Sequence, residues 1–81
     1  MAIPLFSRVA LSVDIPEHGL KAGDVATVTD FHEARGRKGY SLEVFGATGE
    51  TLAVVVVEES QVAPLRKNEV LHVRHIDTLA A

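Results

Sequence analysis

Between residues 6 and 13 apolar and polar positions alternate, with Val9, Leu11 and Val13 on one side and Arg8, Ala10 and Ser12 on the other. A period of two marks a half-buried strand, because successive side chains leave a strand on opposite faces. Pro4, which has no amide hydrogen, marks its lead-in. A second strand is expected from Asp24 to Phe31, with Val25 and Val28 as its core residues. Their spacing breaks strict alternation, so a bulge is expected near Ala26 and Thr27. Tyr40 to Phe45 alternates again, Tyr40, Leu42 and Val44 against Ser41 and Glu43. The fourth strand, Thr51 to Val57, differs: L-A-V-V-V-V is apolar on both faces. Such a strand is buried on both sides, or its second face meets a partner or the C-terminal segment.

The connections are as legible as the strands. Asp14 to Val28 opens with a long polar hook in which Pro16 fixes its own φ while Gly19 and Gly23 are free to take positive φ. Leu20 is the apolar residue inside the hook, and it is expected to plug the open end of the core together with Ile15. His32 to Gly39 reads as a polar hairpin loop punctuated by glycine, and Gly46 to Gly49 as a tight turn. Ser60 to Leu65 fits a single 3₁₀ turn followed by a very short strand. Residues 66–81 form a C-terminal extension. There, β-branched content favours a strand for Val70 to His75 with Leu71 and Val73 on one side; the competing helix places Val70, Val73, Ile76 and Leu79 at intervals of three.

Length and composition narrow the class. Eighty-one residues make one domain, residues 1–81, near the lower limit at which a core alone holds a chain folded. There is no cysteine, which removes disulfides and thiolate metal sites. The apolar fraction is 47%, yet the aromatic complement is one Tyr and three Phe, so the core is built mainly from aliphatic side chains. A core this thin, with a two-faced fourth strand, makes a second copy of the chain an expected partner. The net charge of −3 argues against general binding to a phosphate backbone. The N-terminus, M-A-I-P-L-F-S-R, has no basic segment followed by a long apolar run, and no stretch is long and apolar enough to span a bilayer. A soluble cytoplasmic protein is expected.

Candidate chemistry is sparse. His72 and His75 suggest a metal, but three apart on a strand they point to opposite faces, and no third ligand is evident. No metal or other cofactor is expected. Asp14, Glu17, His18 and Asp24 crowd the hook as an acid–base group would, yet charged residues in a bent loop also simply solvate it, and Asp14 is suited to accepting loop amide hydrogens. No catalytic residue is assigned. Arg35, Arg37 and Lys38 form the basic cluster, three of the chain's eight Lys and Arg, in a hairpin where a solvated tip is the simpler explanation. The preferred functional surface combines Val54 and Val56 of the fourth strand, Leu71 and Val73 of the C-terminal segment, and Glu17 and His18 of the hook.

A hook after strand one, three hairpin-linked strands, a 3₁₀ turn and a closing strand describe an all-β, small SH3-like barrel of about five strands with a C-terminal strand extension. F-x-x-V-A-L, then D-I-P-E-H-G-L-K-A-G-D-V-A-T-V, Y-S-L-E-V-F, G-E-T-L-A-V-V and N-E-V-L-H-V-R, resembles over residues 6 to 75 a family of small bacterial proteins known as a domain of unknown function. That family carries P-E-H-G-L-K-x-G-D-x-G-T-V, from which Ala26 departs where glycine is usual. The resemblance implies a compact SH3-like barrel and little about activity. The fold is also similar to barrels of the nitrile hydratase β subunit and of KOW-type ribosomal and transcription proteins, although fold does not fix function. The expectation is a non-catalytic protein-interaction module, for instance an antitoxin-like or immunity-like partner of a protein encoded nearby. The alternatives are a KOW-like RNA binder acting through Arg35, Arg37 and Lys38, and an accessory barrel of a metalloenzyme.

Overall fold

The structure, a computed structural model, describes residues 3–76. Among these residues five strands, β1 (Arg8–Leu11), β2 (Val25–Ala34), β3 (Arg37–Phe45), β4 (Thr51–Glu58) and β5 (Val62–Pro64), form one antiparallel sheet in the order β4-β3-β2-β1-β5. Two 3₁₀ turns, Pro16–His18 and Glu59–Gln61, join β1 to β2 and β4 to β5. The sheet curls around one interior, to which every strand contributes: Val9 and Leu11, Ala26 and Val28, Tyr40, Leu42 and Val44, Val55 and Val57, and Val62. The all-β architecture, the first four expected strands and the 3₁₀ turn before a very short last strand are therefore present, in a small barrel-like fold.

The hook is built as its residues dictate. Pro16 occupies the first turn of the 3₁₀ segment, where its missing N–H costs nothing. Gly19 closes that segment at φ 68°, a left-handed conformation that side chains with a Cβ resist. Ile15 and Leu20 then bond each other's backbone in both directions, at 2.9 and 3.0 Å. This clamp delivers Leu20 into the core, where it is only 1% exposed, with Ile15 packed against the same cluster. Gly23, at φ 94°, returns the chain to the end of β1 by donating to the Leu11 carbonyl at 2.8 Å.

Five expectations need correction. The strand predicted over residues 6–13 is confined to Arg8–Leu11, because Phe6 takes φ 66° in a preceding turn and lies exposed. Val25 is only half-buried; Ala26 faces the core beside its partner Val9, so inward positions alternate as Ala26 and Val28. The bulge falls at Thr29, where the register shifts between Val28 and Asp30, rather than at Ala26–Thr27. His32 to Gly39 is not a loop: β2 and β3 run through it as a paired ribbon, turning only at Arg35 and Gly36, whose φ of 53° and 77° suit a two-residue hairpin. Its polarity reflects exposure on both faces beyond the barrel. Finally, Val70 to His75 is irregular and pairs with no strand. Leu79, which the competing helix needed, lies outside the described residues.

Candidate interaction surface

β4 ends the sheet on the side away from β5, so among the described residues one row of its backbone N–H and C=O groups has no strand beside it. Its alternation sorts the valine run: Val55 and Val57 are buried, while Val54 and Val56 are 59% and 70% exposed on the outer face. Sheet edges are ordinarily blunted by Lys, Pro or a bulge that turns the strand away. Between Ala53 and Val57 β4 carries none of these; its register shift is confined to the foot, around Leu52. Close pairing holds this edge against β3. At Gly39 an added Cβ would meet the Val57 carbonyl oxygen at 2.6 Å, so only glycine lets the two backbones approach so closely there.

The foot of β4 opens into a groove of about 530 Å³. Val25, Phe45 and Leu52 lie on its sheet side, and Leu71, Val73 and Ile76 belong to the C-terminal segment that crosses it. That segment is latched rather than laddered. The Arg74 guanidinium forms an ion pair with Asp24, its Nε donating to Oδ1 at 2.8 Å, and Nη2 also donates to the Gly19 carbonyl at 3.0 Å. Ile76 packs against the core cluster. Asp24 also accepts the Lys21 N–H at 2.8 Å, and Asp14 accepts the Ala22 N–H at 2.9 Å, the loop-amide role expected of it.

Two opposing influences act on Asp24. Burial raises its carboxyl, but the hydrogen bonds from Arg74 and Lys21 and the nearby positive charges outweigh it, holding the group below its ordinary value. A depressed carboxylate contributes stability that is complete above the unfolded value and is lost as pH falls through the folded one. The amide chemical shifts of Val70 to Ile76 should therefore move toward random-coil values as the solution is acidified below the ordinary carboxylate range and through the lowered value of Asp24. Asp24→Asn should reproduce those shift changes at neutral pH with the barrel amides unchanged; segment resonances identical to the wild type would show that the latch does not hold the segment.

Of the six residues of the preferred surface, Leu71 and Val73 meet in the groove. Val54 and Val56 lie beyond it on the outer face of β4, and Glu17 and His18 are exposed on the first 3₁₀ turn without lining it. His72 lines the groove and His75 is exposed; among the described residues no three metal-ligating side chains converge. Arg35, Arg37 and Lys38 sit at the β2–β3 hairpin, where Arg37 pairs with Glu58 and Lys38 lies opposite Glu33. Phe45, Leu52 and Arg74 escaped notice in the sequence. Arg74 finds Asp24 fifty positions away, a separation that no local spacing rule covers.

Comparison with known proteins adds one assignment. The family model described as "Domain of unknown function (DUF4926)" matches residues 5–64, from the lead-in of β1 to the end of β5. The chain belongs to the DUF4926 family. The DUF4926 match stops at Pro64, short of the reach to residue 75 suggested by the motifs, so the latched segment lies outside it. No curated protein and no solved structure matches the chain. Among the described residues, no helix is long and apolar enough to cross a membrane.

Proposed function

We propose that this DUF4926 chain is a non-catalytic protein-interaction module, an SH3-like barrel that receives an extended segment of another protein along β4. The observation that carries the reading is an edge strand with a run of four valines, Val54 and Val56 turned outward. Adding a strand to such an edge satisfies its free backbone groups and covers its outer side chains in one step, and alternate side-chain positions give specificity. The neighbouring groove, walled by Leu71 and Val73, offers the incoming chain further apolar contact at the foot of β4. A partner encoded nearby, in an antitoxin-like or immunity-like pairing, fits a small acidic domain in the cytoplasm.

The test compares the full chain with Val56→Lys, both expressed in the native host and purified under the same conditions. Position 56 is 70% exposed, so the substitution leaves the core intact and circular dichroism should not change. A lysine would replace apolar burial and blunt the edge, so retention of the co-purifying protein should fall at least about tenfold. A wild-type chain that elutes alone at every concentration, or a variant that retains its partner, counts against the reading.

A further inference from the structure

We infer that the segment received by β4 carries a Lys or Arg opposite Val54. The inference rests on the interaction-module reading and names the chemistry of the partner. Carboxylates gather along β4, but they are not all matched. At its C-terminal end Glu58 pairs with Arg37, and Lys38 lines the same shallow pocket as Glu58 and Glu59. Glu59 also accepts the Tyr40 hydroxyl at 3.3 Å. Charge is balanced there.

The N-terminal half is different. Glu43 stands opposite Val54 in the β3–β4 register and therefore shares its outward face, because cross-strand partners point the same way. Its carboxylate accepts the Thr51 hydroxyl and has no cationic partner among the described residues. The carboxylate of Glu50, which precedes the strand, accepts the Thr48 hydroxyl and has no cationic partner among the described residues. An added strand would place its residue opposite Val54 about two strand spacings, or roughly 10 Å, from Glu43. Val54 is too short to block the way, and a Lys or Arg side chain lying across it would reach the Glu43 carboxylate while its methylenes cover the valine. Opposite Val56 the β3 residue is Ser41, which is neutral, so an apolar side chain suits the partner there. The recognised chemistry is thus an extended segment with one cation and an apolar residue two positions away.

The experiment uses three synthetic peptides of roughly nine residues, long enough to run the length of β4. Each alternates Thr and Val, with a single central guest position flanked two residues away by Val; the guest is Lys, Glu or Ser. Amide resonances of the full chain are followed during titration. The Lys peptide should shift the Thr51–Glu58 amides and bind about fivefold more tightly than the Glu peptide, a preference that shrinks as salt is added. In Glu43→Gln, which can still accept the Thr51 hydroxyl, the three peptides should bind alike. Equal affinities in the wild-type chain, or a Lys preference that survives Glu43→Gln, would overturn the inference while leaving the module reading in place. Absence of any shift along β4 would overturn both. A chain that sediments as a dimer with the β4 amides already protected would also overturn it, because a second copy would then be the occupant.

Discussion

Leu20→Ala should lower the unfolding free energy by about 2–5 kcal/mol, toward the upper end of that range. The cost of removing a buried leucine depends on how far the surroundings collapse into the space it leaves. Here they have little freedom to do so. The backbone of Leu20 is bonded in both directions to Ile15, Pro16 fixes the hook's first turn, and Gly23 is tied back to the Leu11 carbonyl. The side chain is 1% exposed and seals the interior between the strands. A domain of this size has a total stability of roughly 4–12 kcal/mol, so the loss is a large share of it. Urea titration should show an earlier midpoint with an unchanged slope, or an unfolded chain at the growth temperature. Leu20→Met, which keeps the volume, should cost under about 1.5 kcal/mol. A difference below about 1 kcal/mol for the alanine variant would mean that the hook decorates the barrel rather than closing it.

That result matters because the hook is where sequence and structure agree most closely. Pro16, Gly19 and Gly23 are backbone statements: each restricts or frees φ whatever the tertiary context, so the bend could be read without coordinates. The inward faces Val9–Leu11 and Tyr40–Leu42–Val44 were legible for a similar reason, since burial on one side of a pleat imposes a period of two. The misreadings share a cause as well. Val25 is larger and more apolar than Ala26 and was expected inside, but the register Val9↔Ala26 leaves the small side chain facing the core and sends the valine outward toward the groove. The ribbon from His32 to Gly39 looked like a loop because a strand pair exposed on both faces has no apolar stripe to reveal it.

The candidate surface was partly legible. The valine run is apolar on both faces, and the structure divides it into buried Val55 and Val57 and exposed Val54 and Val56. The position of β4 at the sheet edge could not be read from the run itself, because a strand covered on both faces in a sheet interior has the same pattern. The C-terminal segment was misjudged for the complementary reason. Its β-branched residues favour extended backbone, but a strand requires an edge to pair with, and the Arg74–Asp24 latch holds this segment across the groove instead.

Tyr40 carries the other large expected effect. It is the largest fully buried side chain, and its ring stands 5.5 Å from that of Phe31 across the β2–β3 ribbon. Its hydroxyl accepts the Ile3 N–H at 3.1 Å and donates to Glu59 at 3.3 Å, tying the N-terminal lead-in and the second 3₁₀ turn to the middle of the sheet. Tyr40→Ala should therefore cost about 3–5 kcal/mol, as truncation of a buried aromatic ring does. Tyr40→Phe isolates the hydroxyl: the ring stays, but the buried Ile3 N–H loses its acceptor, at a cost of about 1–3 kcal/mol. The two variants should differ in place as well as size. In Tyr40→Phe the Ile3 amide should exchange faster while β4 stays protected, because the ring that backs Val57 in the β3–β4 register is still present. In Tyr40→Ala, β4 loses that backing, and its protection should fall with the midpoint of urea unfolding. If the phenylalanine variant proved as unstable as the alanine one, the hydroxyl rather than the ring would be the chief restraint, and the aliphatic core would be sufficient without its one large aromatic member.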